Sequence, residues 1–290
     1  MPDGWTHLEI AEVALLSLGG GVLFVFLARF ASPAFRAWAL ALRPVADHRL
    51  ELLDVLVALC VIWLAAPLWL ALIAAPAAPG SESAATQAPH VASMPQIVSM
   101  VLGQLTTIAV LVVLGRSRFS GGIRAWGLTA AHALRRAGQA LLAYVGVWPV
   151  CFLTVYAADA LLRWKFPSYH LREHTTILTL QSDATPSLGK LLDAAGAVIL
   201  APLAEELFFR GLLQPLLARR LKSAWAGILL TAMFFGIFHY PLLHVIVALT
   251  ILGVLLSYLY ARTRSLTLVV LVHALFNAKT VLWIALGARM

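Results

Sequence analysis

Charged residues are scarce in this chain. Only 12% of its 290 residues are charged and 61% are hydrophobic, whereas a soluble domain carries about 25% charged residues. So few charges exclude an ordinary soluble fold, because long apolar stretches would remain exposed to water. The composition indicates a polytopic membrane protein.

Cysteine is nearly absent. Cys60 and Cys151 each lie in a hydrophobic run, without a second cysteine or a histidine at ligand spacing. This favours buried, reduced thiols over a disulfide or a thiolate metal site. The first apolar run also lacks a preceding cationic stretch and follows Asp3, so a cleaved signal peptide is not expected.

Acidic residues are outnumbered by basic ones, 13 against 21, which gives a net charge of +8. In a soluble protein this excess would suggest a nucleic-acid partner. Here the basic residues lie mainly at the ends of apolar spans, where they set topology and contact anionic lipid. We therefore expect membrane lipid as a partner and no nucleic acid.

Eight apolar segments approach the length of about 20 residues that a transmembrane helix needs. They are residues 10–30, 52–75, 97–114, 140–162, 191–217, 224–239, 245–261 and 266–286. Basic residues follow spans one, three, five and seven, which places both ends of the chain outside. The predicted fold class is all-α, a polytopic transmembrane helical bundle of about eight spans with a polar intramembrane cavity.

Two regions are predicted along the chain. Residues 1–190 form an N-terminal membrane region of about four spans, and residues 191–287 form a C-terminal core of about four more. Between them, Tyr169, His170, His174, Ile177 and Leu178 predict a short interfacial helix. Residues 76–95, rich in Pro, Ala and Ser, predict a flexible external linker. Gly19, Gly20 and Gly21 predict close helix packing in span one.

Three charged side chains, Glu205, Glu206 and Arg210, interrupt the fifth apolar span. A charge at the centre of a bilayer costs about 2.5–3.5 kcal/mol on insertion scales, so such residues are usually functional. Glu206 and Arg210 are four residues apart and share one helical face, whereas Glu205 points about 100° away. We expect Arg210 to pair with Glu206 and leave Glu205 free for chemistry, although a purely structural ion cluster is the alternative.

Two further helical pairs follow at i, i+4 spacing: Phe235 with His239, and His273 with Asn277. Each pair lies on one helical face. Counted at 1.5 Å per residue from the basic ends of their spans, the polar groups and Glu205 differ in depth by about 11 Å. A tilt, a kink at Pro202 or a displaced boundary must bring them together if they form one site.

These motifs, Glu205-Glu206-x-x-x-Arg210, Phe235-x-x-x-His239 and His273-x-x-x-Asn277, resemble those of the type II CAAX prenyl endopeptidases and their bacterial relatives, the CPBP (ABI-like) intramembrane proteases. The resemblance covers about a third of the chain. It implies peptide hydrolysis inside the membrane without a covalent enzyme intermediate, on a peptide or lipidated-protein substrate.

The resemblance also implies residue roles. Glu205 would be the general base, His239 would help to hold the water, and His273 and Asn277 would stabilise the oxyanion. Glu206 and Arg210 would support the geometry, and Phe235 belongs to the second motif. No cofactor is firmly predicted, but Zn²⁺ is the rival, because Glu205, His239 and His273 form a possible three-ligand set.

A non-enzymatic protein is the second hypothesis. Intramembrane glutamates and histidines also suit proton or ion passage, or sequestration of a peptide in an immunity role. Asp159 could extend such a path, although an interfacial ion pair with Arg163 is preferred. The expected location is a bacterial inner membrane.

Overall fold

The computed structural model describes residues 6–43, 45–74 and 91–287. Within these ranges the chain is helical and contains no β-strand. The first half comprises α1 (His7–Phe30), α2 (Pro33–Leu40), α3 (Leu52–Ile73), α4 (Met94–Arg118), a 3₁₀ turn (Gly122–Trp126) and α5 (Ala133–Lys165). The second half comprises α6 (Thr175–Gln181), α7 (Ser187–Ala195), α8 (Ala201–Glu206), α9 (Gln214–Arg220), α10 (Ala224–Ile237), α11 (Leu243–Thr263) and α12 (Leu266–Ala285).

The helices confirm an all-α integral membrane protein. Six helices in the described ranges, namely α1, α3, α4, α5, α11 and α12, are long and apolar enough to cross a membrane. The sixth predicted span is the shorter apolar helix α10, and the fifth is divided among α7, α8 and α9. The count of eight spans therefore stays a prediction. Most of the predicted linker, residues 76–90 of 76–95, lies outside the described part of the chain.

The fifth predicted span is interrupted by two π-helical segments. Gly196–Leu200 joins α7 to α8, and Leu207–Leu213 joins α8 to α9. A π segment changes the backbone hydrogen-bond register, and such segments are frequent at functional sites. Glu205 and Glu206 lie between the two.

Prolines explain which carbonyl groups these segments leave free. In the first segment the Ala201 N–H donates to the Gly196 carbonyl, five residues earlier. The next bond in that register would join Pro202 to Ala197, but proline has no N–H to donate. The Ala197 carbonyl is therefore available to another donor, and the side-chain amide of Asn277 in α12 donates to it at 2.8 Å.

A partly buried ion pair connects α1 with α12. Lys279 Nζ in α12 lies 2.7 Å from Glu12 Oε2 in α1, and the indole of Trp148 in α5 donates to Glu12 Oε1 at 2.7 Å. The ammonium group also lies 4.1 Å from the centroid of the Trp148 ring. Pairing makes the lysine tolerable in an apolar helix, and it fixes α1 and α5 against α12.

Some local expectations change in the structure. Both cysteines are free as predicted, but only Cys151 is buried; Cys60 is exposed because it lies on a part of α3 that no described helix covers. The short helix expected near residues 169–178 begins only at Thr175, as α6, with His174 as its N-cap. Of the three successive glycines in α1, only Gly19 is at a close helix contact.

Gly19→Ala should weaken the packing of α1 on α5. A Cβ at this position would lie 2.6 Å from Pro149 Cγ, with the Val145 carbonyl also in the way, so the helices must separate. We expect a loss of about 1–3 kcal/mol in the free energy of unfolding, the range for overpacked cores. Thermal unfolding in detergent measures it. Gly20→Ala is the matched control, because a Cβ there meets nothing within 4 Å, and an equal loss in both variants would contradict the prediction.

Candidate active site

One carboxylate oxygen holds the charged cluster together. Glu206 Oε1 accepts a hydrogen bond from Arg210 Nη1 at 2.7 Å and another from His273 Nδ1 at 2.9 Å. Both Glu206 and Arg210 are completely buried. Arg210 Nη2 also donates to the Gly253 carbonyl at 3.1 Å. The predicted Glu206–Arg210 pair is therefore present, and it extends to α11 and α12.

Phe235 packs between the charged groups. The Arg210 guanidinium lies 4.7 Å from the centroid of its ring, a favourable cation–π distance. The rings of His239 and His273 make edge contacts with Phe235 at centroid distances of 5.2 and 5.5 Å. This one aromatic side chain therefore contacts three polar groups, and it lies one helical turn before His239.

Glu205 differs from Glu206 in exposure and in partners. Its side chain is 28% exposed, and its Oε2 atom lies 3.9 Å from His273 Nε2, which is too long for a direct hydrogen bond. Glu205 Oε2 is buried and has no hydrogen-bond partner. The carboxylate is thus available to a small molecule near His273.

His239 and His273 have fixed ring orientations. His239 Nδ1 lies 2.9 Å from the Phe235 carbonyl, and a carbonyl can only accept, so Nδ1 carries the proton and Nε2 is left with its lone pair. His273 donates from Nδ1 to Glu206 in the same way. Nε2 is therefore the free nitrogen of both rings.

A cavity of about 190 Å³ adjoins Glu205. It is bounded by α3, α4, α8, the second π segment and the residue after α10, with these residues at its wall: Ile62, Ala66, Met100, Gly103, Gln104, Thr107, Ala201, Ala204, Glu205, Phe208, Phe209 and Phe238. The wall is mainly apolar, and Glu205 is its one charged residue. Water near this carboxylate is therefore partly screened from bulk solvent.

Sequence reasoning missed the contribution of α4. Gln104 lines the cavity with Glu205, and its Oε1 atom is buried without a hydrogen-bond partner. The signal was present, since an amide is unusual in a span of this hydrophobicity. Asp159 does not join the site, because it forms the preferred interfacial ion pair with Arg163 at 2.9 Å.

The rival zinc site is not formed by the described side chains. Within the described ranges no group of three or more His, Cys, Asp or Glu side chains is arranged to hold a metal ion. Glu205 and His273 come within 3.9 Å, but His239 does not complete a three-ligand set with them. Both histidines make the outer hydrogen bonds from Nδ1 that metal-bound histidines usually make, and metal dependence stays a prediction.

Arg210→Met should destabilise the protein strongly. Without its partner, the Glu206 carboxylate would be a buried, uncompensated charge, which typically costs about 3–5 kcal/mol. Arg163→Met removes the same i, i+4 type of pair from an exposed position, where pairs contribute at most about 1 kcal/mol. Denaturant or thermal unfolding in detergent measures both variants. Similar losses in the two would show that Glu206 is held in another way.

One protein-family model matches the part of the chain that contains these residues. The family model described as type II CAAX prenyl endopeptidase Rce1-like matches residues 187–279, about a third of the chain. Comparisons with curated proteins and with solved structures give no match. The matched residues 187–279 contain all three motifs, so the family model agrees with the resemblance that the motifs indicated.

Proposed function

We propose that this protein is an intramembrane endopeptidase that hydrolyses a membrane-associated or lipidated, CAAX-like peptide with water activated by Glu205. The observation that carries the proposal is the pair formed by Glu205 Oε2 and His273 Nε2, which lie 3.9 Å apart, with Glu205 also lining the cavity. One water molecule can lie at a hydrogen-bond distance of about 2.8 Å from each of these two atoms when it lies off the line between them.

Glu205 serves as the general base. It takes a proton from the water as the oxygen attacks the scissile carbonyl carbon, which gives a tetrahedral oxyanion. When the intermediate collapses, the carbon–nitrogen bond breaks and the proton passes from Glu205 to the leaving amine. No covalent bond between enzyme and substrate forms at any step, and Glu205 is ionised again at the end of the cycle. His239 Nε2, with its free lone pair, is a second acceptor that can orient the water.

His273 and Asn277 serve the oxyanion. Since Glu206 accepts from His273 Nδ1, Nε2 is the ring atom left for the oxyanion; it donates there in the cationic form of the ring, whose second proton comes from solvent and stays on the ring through the cycle. The Asn277 amide carries two N–H groups, of which one donates to the Ala197 carbonyl and the other remains for the oxyanion. Such donors stabilise the oxyanion most when their orientation is set before the reaction begins. The orientations of both side chains are set by hydrogen bonds to groups in or beside the π segments.

Glu205→Gln should remove peptidase activity and preserve the fold. The amide has nearly the same shape but cannot accept the proton, so we expect kcat to fall by about 10²–10⁴. Cleavage of a fluorogenic, prenylated CAAX peptide by protein in liposomes measures the change. Glu51→Gln, at the N-cap of α3 and remote from the motifs, controls for loss of a carboxylate. Full activity of a folded Glu205→Gln protein would contradict the assigned base.

The same liposomes test the non-enzymatic hypothesis. A proton flux that depends on Glu205, without cleavage of any peptide, would favour a relay over a peptidase. Asp159 gives that hypothesis no support, because its carboxylate is paired with Arg163.

Activity should survive removal of metal ions. The described Glu and His side chains do not form a three-ligand set, and the proposed steps use only protein groups and water. We expect less than about 0.1 equivalent of zinc per chain after dialysis against a chelator, with unchanged kcat. Loss of activity on chelation, with recovery on adding Zn²⁺, would instead favour the metal-dependent mechanism.

A further inference from the structure

Gln104, in α4, brings an unpaired amide into the wall of the cavity that Glu205 also lines. Its Oε1 atom is buried without a hydrogen-bond partner, and no hydrogen bond in the described part of the chain involves its amide. Glutamine side chains in membrane helices usually hydrogen-bond to a neighbouring helix, and burial of an amide without a partner costs free energy. Stability therefore does not account for a glutamine at this position.

The backbone opposite Gln104 belongs to the first π segment and leaves room for the amide. A Cβ at Gly196 would lie 3.2 Å from Gln104 Oε1 and 3.9 Å from Nε2, so the amide packs directly on this glycine. Gly196 precedes Glu205 by nine residues, about two and a half helical turns or 13 Å along the axis. Gln104 and Glu205 therefore border the same cavity at two separate places.

The chemistry of the wall indicates what the amide can bind. Apart from Gln104, Thr107 and Glu205, the residues at the wall have no polar side-chain group, which disfavours a charged ligand next to the amide. A carboxamide presents an acceptor and a donor side by side, whichever way it is turned. A peptide group offers the complementary N–H and carbonyl, without net charge.

We infer that Gln104 is a further substrate-binding residue, whose amide pairs with a backbone N–H and carbonyl of the bound peptide. The inference rests on the proposed function, since it assumes that the occupant of the cavity is a peptide. At about 3.3 Å per extended residue, the distance from Gly196 to Glu205 corresponds to about four residues of substrate. Gln104 thus holds the peptide at a distance from the scissile bond, and it lies outside residues 187–279, which the family model matches.

Gln104→Met separates this role from a packing role. Methionine matches glutamine in length but has neither the N–H groups nor the carbonyl. If the amide only packed α4 against the π segment, methionine would leave peptide binding unchanged. Gln139→Met is the matched control, because Gln139 is exposed on α5 and does not line the cavity.

The experiment measures KM and kcat on a fluorogenic, prenylated CAAX peptide in liposomes, together with thermal unfolding in detergent. We expect Gln104→Met to raise KM about tenfold, as for the loss of one or two hydrogen bonds, and to leave kcat within about twofold of wild type. The unfolding temperature should equal or exceed that of wild type, since no hydrogen bond within the protein is lost. A KM within about twofold of wild type, or a higher KM with a lowered unfolding temperature, overturns the inference.

Backbone-modified peptides test the contact itself. In a Glu205→Gln background, each peptide N–H is replaced in turn by an ester oxygen, and the affinity for protein in liposomes is measured. One ester, about four residues from the scissile bond, should bind several-fold more weakly than the parent peptide when Gln104 is present. The same ester should make no difference to the Gln104→Met protein. Equal effects of every ester on both proteins overturn the inference.

The two proposals fail in different ways. Full cleavage by a folded Glu205→Gln protein contradicts the proposed function, whatever residue 104 is. Loss of cleavage in Glu205→Gln, together with unchanged KM and unchanged ester effects in Gln104→Met, contradicts only the role assigned to Gln104.

Discussion

The site depends on one oxygen atom, Glu206 Oε1, which accepts from both Arg210 and His273. This shared acceptor makes a buried guanidinium tolerable and also sets the orientation of the imidazole that faces Glu205. A buried ion pair by itself contributes little to stability once the desolvation of its two charges is counted. Here the pair also positions His273 beside Glu205, which is the role that the proposed mechanism needs from it.

The π segments and prolines beside the glutamates interrupt the helix and also free carbonyl groups for hydrogen bonds to other segments. A π segment and a proline each remove regular backbone bonds, and together they leave specific carbonyl groups without a helical donor. The Ala197 carbonyl is used by Asn277. The Gly211 carbonyl, which lies in the second π segment, accepts a hydrogen bond from the indole of Trp126 at 3.0 Å. Two irregular turns thereby connect the core helix to α12 and to the 3₁₀ turn after α4.

Local spacing predicted much of this arrangement. The i, i+4 relation of Glu206 to Arg210 and of Phe235 to His239 depends only on helical geometry, so both contacts could be expected from the sequence. The convergence of Glu205 with His273 could not, because span depths counted from basic ends differ by about 7 Å for these two residues. The π segments, which periodicity does not reveal, lie in the span where that counting assumed a regular helix.

The remaining groups lie outside the three motifs for a physical reason. Gln104 and the Glu12–Lys279 pair act through contacts between segments far apart in sequence, so no short pattern marks them. Helices α3 and α4 contribute an apolar wall beside Glu205, and apolar composition has no distinctive spacing in a membrane protein. Yet this wall determines how strongly the charges act. Fixed donors and a carboxylate interact more strongly where bulk water is excluded, so the chemistry of α8 and α12 requires the featureless surfaces of α3 and α4.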